Sequence, residues 1–222
     1  YWQVRAINAV GTTYAEANAS AFWSFGTVAA PGAFSHSSPA NGASGVSLNP
    51  TIDWSASSGA TGYEYCYDTT NDSACSGWTS SGANSTANLS GLTAGTTYYW
   101  HVRANGTGGT TYAEGAASSF WSFTTLGLPA AFVHTSPANT ATSQPINPTL
   151  SWSASGGATS YEYCVDTTND NACSGWTSTG ANTSAALSGL NYNTAYLWQV
   201  RANNASGTTY ADGGAANYWS FT

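Results

Sequence analysis

Large apolar residues recur at every second position in short runs, and Gly, Asn, Ser and Thr separate the runs. In residues 49–55, Ile52 and Trp54 share one side; Tyr63, Tyr65 and Tyr67 alternate with Glu64, Cys66 and Asp68. Further on, Tyr98, Trp100, Val102 and Ala104 alternate with Tyr99, His101 and Arg103. A period of two puts successive side chains on opposite faces of a strand. No long stretch carries the 3.6-residue period of an amphipathic helix. The pattern predicts an all-β fold in which each strand has one large-residue face, and two sheets pack those faces over a shared core.

The pattern is written more than once. Tyr1-Trp2-Gln3-Val4-Arg5-Ala6 returns 98 residues later as Tyr99-Trp100-His101-Val102-Arg103-Ala104, and again as Leu197-Trp198-Gln199-Val200-Arg201-Ala202. The same offset carries Trp54 to Trp152, Cys66 to Cys164, Cys75 to Cys173, Trp78 to Trp176 and Trp121 to Trp219. Self-similarity at a fixed period marks a tandem array. Residues 27–125 and 126–222 read as two complete modules, and residues 1–26 as the last two strands of a preceding one. Pro and small residues cluster at 28–32 and 126–130, as short, stiff joints would require. Because a lone two-stranded hairpin is marginal in water, the sequence is expected to be a window on a longer repetitive chain.

Composition narrows the function. With 222 residues, 41% apolar and 14% aromatic, the chain can bury real cores and is not disordered by composition. Ten acidic side chains against three Arg give a net charge of -7. That balance cannot build the basic stripe that neutralises phosphates, so nucleic acid is excluded as a partner. No apolar run approaches the length of a membrane-spanning helix.

The run Leu92-Thr93-Ala94-Gly95-Thr96-Thr97-Tyr98, leading into Trp100, Val102 and Ala104, resembles the fibronectin type III signature. In that signature Leu and a Pro-Gly-Thr turn precede the Tyr of a tyrosine corner. Trp54 and Trp152 fall at the family's core Trp on the second strand, and Phe123-Thr124-Thr125 at its terminal strand. The resemblance covers the whole chain. It implies tandem seven-stranded immunoglobulin-like sandwiches with Tyr98 and Tyr196 as corner tyrosines. More narrowly, the chain is similar to the Ser/Thr-rich type III repeats of large secreted bacterial surface proteins. Ala94 and Tyr192 replace the turn proline, and no Arg-Gly-Asp occurs to support integrin-type attachment.

Several residues are candidates for chemistry. Cys66 and Cys75, like Cys164 and Cys173, flank an Asp-Thr-Thr-Asn-Asp turn. Alternation points Cys66 away from the core face, within reach of a partner across the hairpin. A disulfide there would stabilise each module by about 2.7 kcal/mol and imply an oxidising, extracellular compartment. The rival reading, a zinc site, lacks nearby His. Asp68, Asp72, Asp166 and Asp170 concentrate oxygen as a calcium loop would, but Asp, Asn and Thr are also what a turn selects. Glu64 with Arg103, and Glu162 with Arg201, are expected to pair across neighbouring strands for under ~1 kcal/mol each.

His36 and His134 read as strand-edge or interdomain contacts. Trp2, Trp23, Trp54, Trp100, Trp121, Trp152, Trp198 and Trp219 occupy inward positions and read as core. Trp78 and Trp176 either pack over the disulfides or present indole faces to a sugar. Asn-x-Ser/Thr sequons stand at Asn18, Asn71, Asn84, Asn88, Asn105, Asn182 and Asn204, with Asn84, Asn105, Asn182 and Asn204 as glycosylation candidates. No Gly-x-Ser-x-Gly elbow or convergent acid and base is legible, so neither catalysis nor a cofactor is expected.

These features predict a non-catalytic, extracellular structural repeat of a surface fibre, filament, stalk or sheath, whose partners are copies of itself, neighbouring repeats or glycans. The alternative is a spacer or carbohydrate-binding module of a secreted polysaccharide-active enzyme or adhesin.

Overall fold

The computed structural model describes every residue except Asn169, Asn171 and Ser174. An N-terminal hairpin joins β1 (Arg5–Ile7) to β2 (Thr12–Tyr14). The first module comprises β3 (His36–Ser38), β4 (Ala43–Val46), β5 (Thr51–Trp54), β6 (Gly62–Asp68), β7 (Thr79–Gly82), β8 (Thr86–Asn88), β9 (Thr97–Gly106), β10 (Gly109–Tyr112) and β11 (Trp121–Thr125). The second comprises β12 (His134–Ser136), β13 (Thr149–Trp152), β14 (Ser160–Asp166), β15 (Thr177–Gly180), β16 (Ser184–Ala186), β17 (Tyr196–Asn204), β18 (Gly207–Tyr210) and β19 (Trp219–Phe221).

Each module is a sandwich. One sheet has the order β3-β5-β8, repeated as β12-β13-β16. The other runs β4-β11-β9-β6-β7 with β10 beside β9; its copy runs β15-β14-β17-β18 with β19 beside β17. The chain is all-β with sandwich-like modules, as the sequence predicts, but among the described residues the modules have nine and eight strands where seven were expected. The last strand of each module is broken by a short 3-10 turn, at Ala113–Gly115 and Ala211–Gly213. The counterpart of β4 in the second module contracts to one parallel bridge, from Ala141 to Phe221.

Inward positions of both sheets meet in one core per module. Ile52, Trp54, Tyr63, Trp100, Val102 and Phe123 lie together in the first, and Leu150, Trp152, Tyr161, Trp198, Val200 and Phe221 in the second. Trp121 and Trp219 are only half buried at the margin of these cores. Trp2 and Trp23 depart from expectation: they are 47% and 58% exposed. Their hairpin faces no second sheet, so the two indoles pack on each other at 5.9 Å instead.

The joint between the modules is hydrogen-bonded from both sides. The carbonyl of Leu126 accepts from Gly95 N–H at 3.2 Å and from Ser206 Oγ at 2.7 Å. The Gly127 carbonyl accepts from Asn204 Nδ2 at 2.9 Å. At the preceding joint Gly106 and Gly108 replace Asn204 and Ser206. A Cβ on Gly108 would overlap the carbonyl of Ala29, so the backbones there meet directly.

Gly42 and Thr140 occupy the same turn, with φ of 76° and 64°, and each donates its N–H to the terminal strand. A β-branched residue is disfavoured in left-handed backbone. Thr140→Gly is therefore expected to stabilise the second module by on the order of 1 kcal/mol, and Gly42→Thr to destabilise the first by a similar amount, as measured by urea unfolding.

Candidate functional site

Pairing of β6 with β9 runs from Gly62 opposite Asn105 to Asp68 opposite Tyr99. That register sets Glu64 against Arg103 and Cys66 against His101, all on the face turned away from the core. Arg103 Nε donates to Glu64 Oε2 at 2.8 Å, and Asn105 Nδ2 donates to the same oxygen at 2.7 Å. Arg201 and Asn203 hold Glu162 in the same way, at 2.7 and 2.8 Å. Hydrogen bonds from Asn105 and Arg103 hold the Glu64 carboxyl below its usual value; at Glu162, Arg201 contributes most.

Each guanidinium also lies over an indole. Arg103 is 4.4 Å from the Trp78 ring centre and Arg201 is 4.3 Å from that of Trp176. Tyr112 and Tyr210 flank the same indoles at 6.1 and 6.0 Å. One face of each half-buried Trp is thus engaged in a cation–π contact.

The remainder of this outer face is roofed over. His101 is fully buried despite its outward position, because Tyr112 and Phe120 lie against its ring at 5.7 and 4.9 Å. Its Nε2 bonds to the Ala116 carbonyl at 3.0 Å. A carbonyl only accepts, so Nε2 carries the hydrogen and Nδ1 accepts from His36 Nε2 at 3.2 Å. Gln199 repeats the clamp on Gly214, and Gln3 repeats it on Asn18. Alternation alone gives the face of these residues but not the segment that covers it.

His36 and His134 stand on the edge strands β3 and β12, as their positions suggested, and are buried inside their modules rather than at a joint. Each stacks on a Trp, Trp121 or Trp219, at 5.1 Å. Each also faces a carboxylate that the broken last strand presents. Glu114 and Asp212 adopt left-handed φ of 55° and 52°, which aims their N–H groups at the Phe34 and Phe132 carbonyls. The Glu114 carboxylate accepts from the His36 backbone at 3.1 Å, and His134 Nδ1 donates to Asp212 at 2.7 Å. These contacts tie the first strand of one sheet to the last strand of the other. Burial, and then the charge of His101, pushes His36 down to about 3. Burial also lowers His101, against the bond to Ala116, and lowers His134, against its bond to Asp212.

Cys66–Cys75 and Cys164–Cys173 are disulfides with Cα separations of 5.9 and 6.0 Å. Both join the outer face of a central strand to the loop that follows it. The Asp68 and Asp72 carboxylates accept from Thr70 and Ala74 N–H, and Asp166 and Asp170 from Thr168 and Ala172. Asn169, in the middle of the second loop, lies outside the described residues. Each of these oxygens shapes its own turn, and among the described residues no group of three or more His, Cys, Asp and Glu side chains converges as a metal would need. Of the sequon residues, Asn84 and Asn182 sit in exposed turns. The Asn105 amide is bound to Glu64, and that of Asn204 to Gly127 and Gly157.

Fold and site together define two β-sandwiches in which cross-strand ion pairs, disulfides and buried imidazoles link the strands of each module. No protein-family model matches the chain. It is 34% identical over 204 residues to chitinase A1 of Niallia circulans, an alignment that spans 86% of this chain and 27% of the chitinase. Among solved structures, the FN1-FN3 domains of chicken CNTN1 align over 98% of this chain and 73% of theirs, at 16% identity and a TM-score of 0.37.

Removing one disulfide, by Cys66→Ala plus Cys75→Ala, is expected to cost its module about 2 to 3 kcal/mol, read from denaturant midpoints. Acid should weaken the first module more than the second. A histidine whose folded value lies below its unfolded one contributes stability that is complete above about 6.5 and is lost as pH falls toward the folded value. At pH 5, His36 alone predicts a loss of about 2 kcal/mol, with His101 adding in the same direction and Glu114 the carboxylate facing the pair. His101→Gln, which writes the second module's residue into the first, should shrink that loss when melts at pH 7 and pH 5 are compared.

Proposed function

We propose that these modules are non-catalytic, extracellular spacers of a secreted polysaccharide-active enzyme. The observation that carries this reading is the 34% identity to a chitinase along a run that makes up only 27% of it. The disulfides suit an oxidising compartment. The imidazoles are buried, and the carboxylates described above bond to backbone or to neighbouring strands, which supports a scaffold role. A joint bonded from both modules fits a part that holds other domains at a set separation. A surface stalk would draw on the same joint, but the chitinase similarity favours the spacer.

The test is a fusion in which the chain separates a chitinase catalytic domain from a chitin-binding domain. Deleting the chain is expected to leave hydrolysis of soluble oligosaccharides unchanged and to lower hydrolysis of insoluble chitin several-fold. The isolated chain should neither cleave chitin nor be retained on it. Saturable retention that disappears in Trp78→Ala plus Trp176→Ala would replace the spacer with a binding module, and cleavage by the chain alone would overturn the reading outright.

A further inference from the structure

A cleft of about 360 Å³ opens on the flank of the second module, where the edge strands β15 and β16 of its two sheets face each other. Among the described residues, Tyr163, Val165, Leu187 and Leu190 line it with apolar surface, and Thr177 and Ser188 bring hydroxyls. Of all the lining positions only two differ from their counterparts 98 residues earlier: Val165 stands for Tyr67, and Ala186 for Asn88. Both changes remove side-chain atoms, and the first removes a whole phenol ring.

The first module shows what that space accommodates. There the Tyr67 ring packs against Tyr98 at 6.1 Å, and Leu89 is 3% exposed. With Val165 in place of Tyr67, Leu187, the counterpart of Leu89, is only half-buried. Apolar surface left uncovered at a concave site is surface that a ligand ring can bury. The flank also stays open when modules are joined: in the first module, which another follows, Tyr67, Thr79, Asn88 and Ser90 remain exposed. The lining selects the ring as well. Among the described residues no charged side chain lines the cleft, so a charged ligand would lose its hydration without compensation. A phenol matches apolar walls with its body and hydroxyl neighbours with its tip, since its O–H both donates and accepts.

We infer that this cleft is a docking site for the tyrosine side chain of a partner protein, which takes the place that Tyr67 fills in the first module. The occupant in the first module is itself a protein side chain, so the shape is matched to one. The inference stands apart from the spacer reading, because it needs neither a catalytic domain nor a contact with chitin.

The test titrates the full chain with N-acetyltyrosinamide and follows the methyl resonances of Val165, Leu187 and Leu190, with Leu89 and Leu92 of the first module as internal controls. Saturable shifts are expected at the first three alone, with a dissociation constant on the order of millimolar, as suits a single ring. Val165→Tyr, which writes in a residue the first module already accommodates, should abolish the shifts and leave the fold intact. Tyr67→Val plus Asn88→Ala should open the counterpart cleft and bring Leu89 into the responding set. Absence of saturable shifts overturns the inference, as do shifts that survive in Val165→Tyr or a Leu89 that stays silent in the double variant. A chitin oligosaccharide that saturates the same methyls more tightly than N-acetyltyrosinamide also overturns it, by making the flank a sugar site.

Discussion

Trp100 and Trp198 hold the two sheets of their modules together from the middle. Each indole is completely buried, and burial of so large an aromatic surface is among the strongest single contributions a small sandwich can make. His36 and His134 meet those rings edge-on at 4.5 and 4.3 Å from the opposite sheet. The first strand is thereby fixed against β9 or β17, the third strand from the end of its module, through an imidazole whose charged form burial disfavours. Core packing and protonation meet at the same ring, and Glu114 and Asp212, held in left-handed backbone, bring a carboxylate to each histidine.

The strand faces, the repeat and the cross-strand ion pairs were legible from the alternation, because each depends on parity and register alone. Glu64 and Arg103 needed only to be on neighbouring strands with the same orientation. The burial of His101 was not legible. It depends on residues 113–120 folding back over the outer face, and parity assigns a side of the sheet without saying what lies above it. For the same reason the edge position of His36 and His134 was legible, whereas their enclosure by the opposite sheet was not. Trp2 and Trp23 show the converse error: their positions are core positions, but a core needs a second layer.

The joint was the least legible feature, because backbone carbonyls and amides make it. Leu126 and Gly127 contribute oxygen atoms that every residue has. What the sequence does carry is the complement, Asn204 and Ser206 in one module against Gly106 and Gly108 in the other. The two solutions bring a linker close to a sandwich by different means: polar side chains reach out to it in one, and missing side chains make room in the other.

Asn204 and Ser206 are also the first and last residues of a sequon. The amide nitrogen that a glycan would occupy is the one Asn204 donates to the carbonyls of Gly127, in the linker, and Gly157, in the same sandwich. A glycan on that nitrogen and its bond to the linker exclude each other, because one amide nitrogen cannot serve both, so this sequon is open only while the linker has not packed against the second sandwich.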